Sequence, residues 1–340
     1  MMVKAFIAGC SSTSLTNEEQ SFFASEQPVG LILFARNCRE PDQIRELVAS
    51  YREAVGDPEA FVLIDQEGGR VRRLRPPHWP DYPPGEVYAR LYERDRDTGL
   101  RAAFLGAQLI GSDLAALGIN VDCAPILDVR FAETDDVIGD RAYGSGSEQV
   151  ASIGRAVADG LETAGVLSII KHIPGHGRAT ADSHLELPVV DASHEALSSV
   201  DFAPFKALAD LPMAMTAHIV YSALDAERCA TLSPSIIENV IRQEIGFAGL
   251  LMSDDVSMKA LGGPMRQRIE GLFAAGCDLA LHCNGDFAEM QEVAAASPLL
   301  EGAALDRVRQ ARARLRAPAP IDRAALREEF DGLIAQNAIA

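Results

Sequence analysis

The residues best suited to chemistry lie together in segment 171–184. It reads Lys-His-Ile-Pro-Gly-His-Gly-Arg-Ala-Thr-Ala-Asp-Ser-His and holds three of the seven histidines of the chain. The apolar run 166–170 before it predicts a short buried strand, which delivers Lys171 into a loop whose glycines allow close backbone approach. Asp182 and His184 are two positions apart, and a carboxylate that close to an imidazole can fix its tautomer and raise its basicity. The segment therefore predicts an acid–base site.

A second pair of carboxylates, Asp254 and Asp255, follows the apolar run 249–252. One nucleophilic carboxylate and one proton donor are the minimum set for retaining glycoside hydrolysis. The predicted donor is the imidazole of His184, oriented by Asp182, because a group that titrates near neutrality suits alternation between acid and base. Side chains alternate along a strand, so only one of Asp254 and Asp255 is expected to face the site, and the residue types leave open which one.

Five further residues are predicted to bind substrate. Their side chains are of the kinds that donate to or accept from sugar hydroxyls, and they are Asp65, Arg73, Arg141, Lys171 and His172. The chain has only four lysines, so a lysine at a predicted strand end is less readily explained as a surface charge. Taken singly, each of these residues is also compatible with a structural ion pair.

Eight short apolar runs alternate with longer helical stretches. The runs are 3–8, 29–34, 61–64, 119–123, 167–170, 213–216, 249–252 and 279–282. This alternation predicts the α/β class and a (β/α)8 TIM barrel, formed by a single domain over residues 1–340 with extra C-terminal helices at 301–316 and 321–336. Charged and imidazole side chains follow the third to eighth runs, where the active site of such a barrel is built. The pattern therefore predicts an enzyme.

The composition argues against several classes of partner. A net charge of −18 disfavours nucleic acid and anionic membranes, and no apolar segment has the length of a transmembrane helix. The six cysteines are scattered without paired spacing, which predicts buried free thiols, no zinc site and a cytoplasmic protein. The expected partner is a small-molecule substrate.

Four motifs resemble those of family 3 glycoside hydrolases. They are segment 171–177 together with 182–184, segment 61–73 (Phe-Val-Leu-Ile-Asp-Gln-Glu-Gly-Gly-Arg-Val-Arg-Arg), segment 138–143 (Ile-Gly-Asp-Arg-Ala-Tyr) and segment 253–258 (Ser-Asp-Asp-Val-Ser-Met). The resemblance runs over residues 5–300, and within the family it is to the NagZ-type β-N-acetylglucosaminidases of bacterial cell-wall recycling. Val256 and Ile173 stand where the family usually has Leu and Phe, and both are conservative apolar changes.

The resemblance implies a role for each motif residue. It implies that Asp254 is the nucleophile, that His184 is the acid/base and that Asp182 is its dyad partner. The positions implied to bind N-acetylglucosamine are Asp65, Arg73, Arg141, Lys171 and His172. The implied substrate is N-acetylglucosaminyl-β-1,4-anhydro-N-acetylmuramic acid, as the disaccharide or a peptide-bearing muropeptide, imported during turnover and cut in the cytoplasm. The implied two-step displacement uses side chains only, so no metal or organic cofactor is expected.

Three alternatives stay open on the sequence. A metal-dependent hydrolase could use His172, His176, His184 and Asp254 as ligands, although the His-x-His motif that many such barrels carry on their first strand is missing. A catalytically silent sugar-binding barrel would need neither Asp254 nor His184. Phosphate could replace water as acceptor, because a histidine acid/base does not repel an anion as a carboxylate would.

The segment that carries Asp182 and His184 is expected to move. It is rich in Gly, Ala, Thr and Ser and has few apolar anchors, so its local opening should cost little compared with opening of the barrel. His184 must nevertheless reach hydrogen-bond distance of the leaving oxygen when the bond is cut. We therefore expect the segment to close over bound sugar, as active-site lids do.

Overall fold

Eight parallel strands close into a barrel in the computed structural model, which describes residues 3–131, 137–179 and 187–335. The described strands are β1 (Lys4–Ala8), β2 (Pro28–Leu33), β3 (Phe61–Ile64), β4 (Val121–Asp122), β5 (Leu167–Ile173), β6 (Val189–Val190), β7 (Met213–Thr216), β8 (Val220–Tyr221), β9 (Leu250–Asp255) and β10 (Leu279–His282). The barrel order is β1-β2-β3-β4-β5-β7-β9-β10, and β10 pairs back with β1. All eight predicted strands are present in the predicted order, so the (β/α)8 fold is confirmed. Strands β6 and β8 form a separate two-stranded sheet, which was not predicted.

Helices lie between the barrel strands and after the last of them. They are α1 (Asn17–Glu26), α2 (Pro41–Val55), α3 (Gly85–Arg94), α4 (Arg96–Ala115), α5 (Ser147–Thr163), α6 (His194–Ala196), α7 (Ala203–Ala207), α8 (Met265–Ala275), α9 (Phe287–Ala296), α10 (Gly302–Arg312) and α11 (Arg323–Ala335). Segments Leu197–Asp201 and Ile236–Glu244 are π-helical, and short 3₁₀ turns cover Ala35–Asn37, Gly139–Arg141 and Ala230–Leu232.

Local sequence explains where two helices depart from the prediction. Helix α1 was not predicted because its apolar residues are few, but a capping box begins it: the Thr16 hydroxyl accepts from the Glu19 amide, and the Glu19 carboxylate accepts from the Thr16 amide. The helical stretch expected between the fifth and sixth apolar runs is divided into α6, a π-helical turn and α7. Pro204 lies at the start of α7, where its missing N–H breaks no helical hydrogen bond.

The core has two layers, one inside the barrel and one between the barrel and its helices. Alternate residues of each strand, such as Leu167 and Ile169 on β5, fill the inside. Helix α10 adds Val308 and Ala311 to this inner layer. Helix α11 packs against α4 and buries Phe330. The C-terminal helices therefore contribute to the core.

Two barrel strands extend further than the apolar runs that predicted them. Strand β5 continues through Lys171 and His172 to Ile173, and β9 continues through Asp254 to Asp255. The backbone of Lys171 still pairs with that of Met215 on β7, because ladder hydrogen bonding does not depend on side-chain polarity. The side chains of Lys171, His172 and Asp254 are therefore carried by barrel strands.

Two further expectations concern the described part of the chain. All six cysteines are free, and five of them are buried, as predicted. None of the described helices combines the length and apolar character that a bilayer span requires.

Candidate active site

A cavity of about 360 Å³ opens at the carboxyl ends of the barrel strands. A volume of this size falls in the range of small-molecule sites. Its polar lining is Asp65, Glu67, Arg73, Arg141, Lys171, His172, His176, Asp254, Asp255, Arg36 and Asn284, and its apolar lining includes Ile32, Met215, Met258 and Leu281. Six of the predicted site residues lie in the described part of the chain, and all six are in this lining.

Asp182 and His184 lie outside the described residues. The same is true of most of the segment that is expected to close over substrate. Their roles therefore stay predictions.

Two carboxylates and three cations form one ion network on the wall of the cavity. Lys171 Nζ lies 2.8 Å from Asp65 Oδ1 and 2.8 Å from Glu67 Oε1. Arg73 Nη2 donates to Asp65 Oδ2 at 3.0 Å. Arg141 makes two hydrogen bonds to Glu67, from Nε at 2.9 Å and from Nη2 at 2.8 Å. The loops after β3 and β4 and the end of strand β5 thereby converge on a single surface.

The network keeps its members ionised. Burial alone would raise the pKa of Asp65, but Lys171 and Arg73 outweigh it and hold that pKa well below its ordinary value. In the same way Arg141 and Lys171 hold the pKa of Glu67 at about 2. Burial would lower the pKa of Lys171, but the two carboxylates raise it well above its usual value. Fixed charges of both signs therefore line the cavity at neutral pH.

Asp128 orients the two histidines beside this network. Its Oδ2 lies 2.7 Å from Nδ1 of His172, and its Oδ1 accepts from the backbone amides of His172 at 3.1 Å and His176 at 2.6 Å. Burial would raise the pKa of Asp128, but the histidines lower it to about 2. An ionised Asp128 accepts the Nδ1 proton of His172, fixes the orientation of its ring and leaves Nε2 for contact with a ligand. Burial lowers the pKa of His176 to about 4, so its ring is neutral at pH 7.

Asp254 and Asp255 have different surroundings, although both border the cavity. The Asp255 carboxylate accepts from the Ser257 amide at 3.0 Å, the Ser257 hydroxyl at 2.6 Å and the Cys283 amide at 3.1 Å. These contacts fix Asp255 as a cap of the loop that follows β9. Asp254 Oδ1 accepts from the Asp255 amide at 2.8 Å. Asp255 is therefore held by its own loop, and the role of Asp254 as nucleophile stays a prediction.

Several polar strand-end residues do not line the cavity. His218 is fully buried, with Nδ1 2.8 Å from the Thr231 hydroxyl and Nε2 3.1 Å from the Asp255 carbonyl, and burial lowers its pKa. His282 is buried and bonds Glu289 at 3.1 Å. Asp122 lies behind the wall and accepts from the Gln66 amide. Polarity at a strand end thus marks both substrate-facing and supporting residues.

Glu67 and Asp128 belong to the polar residues that follow the third and fourth apolar runs, but neither was among the predicted site residues. Glu67 lies two positions after Asp65, and such alternation places both on the same side of an extended chain. Asp128 carried less signal, because it lies six positions beyond β4 in an irregular segment. Among the described residues, no three His, Cys, Asp or Glu side chains are arranged to hold a metal ion.

The chain is similar to known glycosidases in sequence and in structure. Residues 2–316 match the family described as the glycosyl hydrolase family 3 N terminal domain. A protein named beta-hexosaminidase from Alkalilimnicola ehrlichii is 38% identical over 84% of this chain and 82% of its own length. Another of that name, from Methylococcus capsulatus, is 38% identical over 79% of this chain and 80% of its own.

A solved structure, native NagZ from Neisseria gonorrhoeae, superposes with a TM-score of 0.86. It is 28% identical, with 99% of this chain and 98% of that chain covered. The same protein has been solved in complex with N-trifluoroacetyl-D-glucosamine.

Proposed function

The chain belongs to glycosyl hydrolase family 3 and is a glycosidase, and from this premise we propose that it is a retaining exo-β-N-acetylglucosaminidase. The observation that carries the proposal is one cavity that holds a strand-borne carboxylate, Asp254, together with the ion network of Asp65, Glu67, Arg73, Arg141 and Lys171. Further support comes from the relatives named beta-hexosaminidase and from the related structure with a bound N-acylglucosamine.

In the first step the Asp254 carboxylate attacks the anomeric carbon of a terminal N-acetylglucosamine. A bond forms between C1 and a carboxylate oxygen, and the bond from C1 to the leaving oxygen breaks. His184, as imidazolium, gives its proton to that oxygen, and Asp182 holds the ring in the tautomer this transfer needs. The product of the step is a glycosyl ester on Asp254.

In the second step water attacks the same carbon from the side that the leaving group vacated. The neutral His184 takes the proton of the water, and the C1–Asp254 bond breaks. Two inversions give net retention of the β configuration. The enzyme returns to its starting protonation state with no metal or organic cofactor.

The ion network and His172 bind the sugar in both steps. Both carboxylate oxygens of Asp65 and Oε2 of Glu67 each accept from one cation and keep a second lone pair for a sugar hydroxyl, and the three cations supply donors. These groups are fixed before substrate arrives, so little ordering is paid on binding. The substrate proposed is N-acetylglucosaminyl-β-1,4-anhydro-N-acetylmuramic acid, with or without peptide, from imported peptidoglycan fragments in the cytoplasm. Residues 1–340 are proposed to act as one catalytic domain.

The test is hydrolysis of a chromogenic aryl β-N-acetylglucosaminide and of the disaccharide, with the product anomer followed by NMR. We expect both substrates to be cleaved and the β anomer to form first. Initial formation of the α anomer contradicts the retaining mechanism. Absence of cleavage favours the silent sugar-binding barrel instead.

Two controls address the remaining alternatives. Addition of phosphate should leave the product as free N-acetylglucosamine, and appearance of the sugar 1-phosphate would assign a phosphorylase. Prolonged treatment with a chelator should leave the rate unchanged, whereas loss of activity that Zn²⁺ restores would support the metal-dependent hydrolase.

A further inference from the structure

Gln66 lies between two carboxylates of the cavity wall, yet its own side chain points away from the cavity. Asp65 and Glu67 line the cavity, whereas the Gln66 side chain is buried, with 2% of the residue exposed. Alternation along the extended chain after β3 explains this difference. Gln66 is therefore placed behind the sugar-binding wall.

Both ends of the Gln66 side-chain amide bind the backbone where the loop returns. Its Oε1 accepts from the Arg73 amide at 2.8 Å and from the Leu74 amide at 3.0 Å. Its Nε2 donates to the Leu74 carbonyl at 3.2 Å. Loop 66–74 is thus closed on itself by one buried side chain.

The loop between these two ends makes a tight turn. The Glu67 amide donates to the Val71 carbonyl at 3.0 Å, and the Val71 amide donates to the Gly68 carbonyl at 3.2 Å. Gly68 has a φ of +101°, and a Cβ there would lie 2.4 Å from the Pro83 carbonyl oxygen, so only glycine fits. The turn directs the chain back toward Asp65, and the hydrogen bonds of Gln66 fix the backbone position of Arg73 and Leu74.

The main chain of Gln66 is fixed as well. Its amide donates to Oδ1 of Asp122 at 3.0 Å, and Asp122 is itself buried at the end of β4. Gln66 therefore connects the fourth strand of the barrel to the backbone of Arg73.

The group placed by this connection is the Arg73 guanidinium. It bonds Asp65 at 3.0 Å, and its Cζ lies 4.8 Å from the centre of the Phe34 ring. Such a stacked and paired guanidinium has a narrow range of productive positions, and a displacement of about 1 Å at a binding group can cost on the order of 100-fold in rate. An arginine has four rotatable side-chain bonds, so its reach is set by where its backbone is held.

We propose that Gln66 is a positioning residue for sugar recognition, which places Arg73, and through it Asp65, in the geometry that binds the glycone. The inference rests on the proposed function, because it assigns the Arg73 and Asp65 surface to the sugar. Gln66 itself does not touch substrate. It should therefore affect binding of the sugar more than the chemical step, and it should act through Arg73.

The experiment is a double-mutant cycle of Gln66→Met and Arg73→Met, with kcat and KM measured on the aryl β-N-acetylglucosaminide. Methionine keeps the volume of glutamine and removes both hydrogen-bonding ends. We expect Gln66→Met to raise KM by roughly tenfold with a smaller change in kcat. In the Arg73→Met background the same change should raise KM by less than about twofold.

Gln108→Met is the matched control, because Gln108 is a buried glutamine of α4 that does not line the cavity. It should leave KM at the wild-type value. If Gln66→Met does not fold, Gln66→Glu replaces it, since a carboxyl group keeps the acceptor for the Arg73 amide. This variant should give a smaller rise in KM that also disappears in the Arg73→Met background.

Two kinds of result overturn the inference. The first leaves the proposed function intact, and the second overturns the proposed function as well. If the KM changes of Gln66→Met and Arg73→Met multiply in the double variant of an active enzyme, Gln66 does not act through Arg73. The same conclusion follows if a Gln66 variant lowers kcat alone. A wild-type enzyme that neither cleaves the aryl glycoside nor binds N-acetylglucosamine overturns the proposed function, and this inference with it.

Discussion

Glu67 and Arg141 are separated by 74 positions in the chain and are joined by two parallel hydrogen bonds. The Arg141 side chain is 11% exposed and that of Glu67 6% exposed, so the pair is largely removed from water. Glu67 also accepts from Lys171. One carboxylate thus fixes two of the cations that are proposed to bind the sugar, although it was not among the predicted site residues.

Replacing Glu67 by glutamine should weaken sugar binding. The neutral amide can still bond Arg141 once, but it removes the negative charge that both cations face, and Arg141 loses its two-point orientation. We expect KM for the aryl glycoside to rise by roughly tenfold, about 1.4 kcal/mol. Glu59→Gln, at an exposed site before β3, is the control. An unchanged KM in Glu67→Gln would remove Glu67 from the sugar-binding surface.

Asp122 gives the fold a stability that depends on pH. Burial raises its pKa to about 7, against an ordinary value near 3.8. Between these pH values the folded state holds a proton that the unfolded state has lost, so the free energy of unfolding falls as pH rises, by about 1.4 kcal/mol per unit. Asp122→Asn keeps an acceptor for the Gln66 amide, but its side chain does not titrate in this pH range.

The stability of Asp122→Asn relative to wild type should therefore increase from pH 4 to pH 7 and then level off. Urea unfolding of both proteins at a series of pH values measures this difference, and contributions from other groups cancel in it. A difference that does not change with pH would show that Asp122 titrates alike in the folded and unfolded states.

The surroundings of Asp255 bear on how the nucleophile is supplied. Some hexosamine enzymes use the acetamido oxygen of the substrate, which a pair of carboxylates orients. Asp255 is engaged by Ser257 and by the Cys283 amide, so it is not available to pair with Asp254 for that task. We expect only weak inhibition by thiazoline mimics of the cyclised substrate. Inhibition by a thiazoline that is much stronger than that by N-acetylglucosamine would favour substrate assistance.

The contribution of His184 to the rate is predicted to depend on the leaving group. An activated aryl leaving group needs no proton, whereas a sugar alkoxide does. His184→Ala should therefore lose much more activity on the disaccharide than on an aryl glycoside with an acidic phenol, and Asp182→Ala should follow the same order less strongly. Equal losses on both substrates would mean that the proton comes from another group.

The strands were predictable because apolar runs of four to six residues recur with helical stretches between them, and burial in a barrel requires that pattern. The strand ends were less predictable. Lys171, His172 and Asp254 follow apolar runs, and the sequence interpretation ended the strands before them, whereas backbone pairing carries β5 and β9 past them.

Site residues were predictable where they belong to a sequence motif. They were less predictable where only tertiary contacts decide whether a side chain faces the cavity. Asp65 and Lys171 bond each other across 106 positions, and both were singled out. His218 and His282 have the same residue type and strand-end position as substrate-facing groups, yet both are buried against Thr231 and Glu289. Residue type at a strand end predicts polarity there but does not say which way the side chain points.

The central claim is that Asp254 forms a covalent bond with the sugar. The most direct measurement is mass spectrometry of the enzyme after reaction with a 2-fluoro sugar that bears an activated leaving group, because the fluorine slows breakdown of the glycosyl ester. The account predicts one added sugar, located by peptide fragmentation on Asp254, and no label in Asp254→Asn. A label on Asp255, or a fully active enzyme that never acquires one, would contradict it.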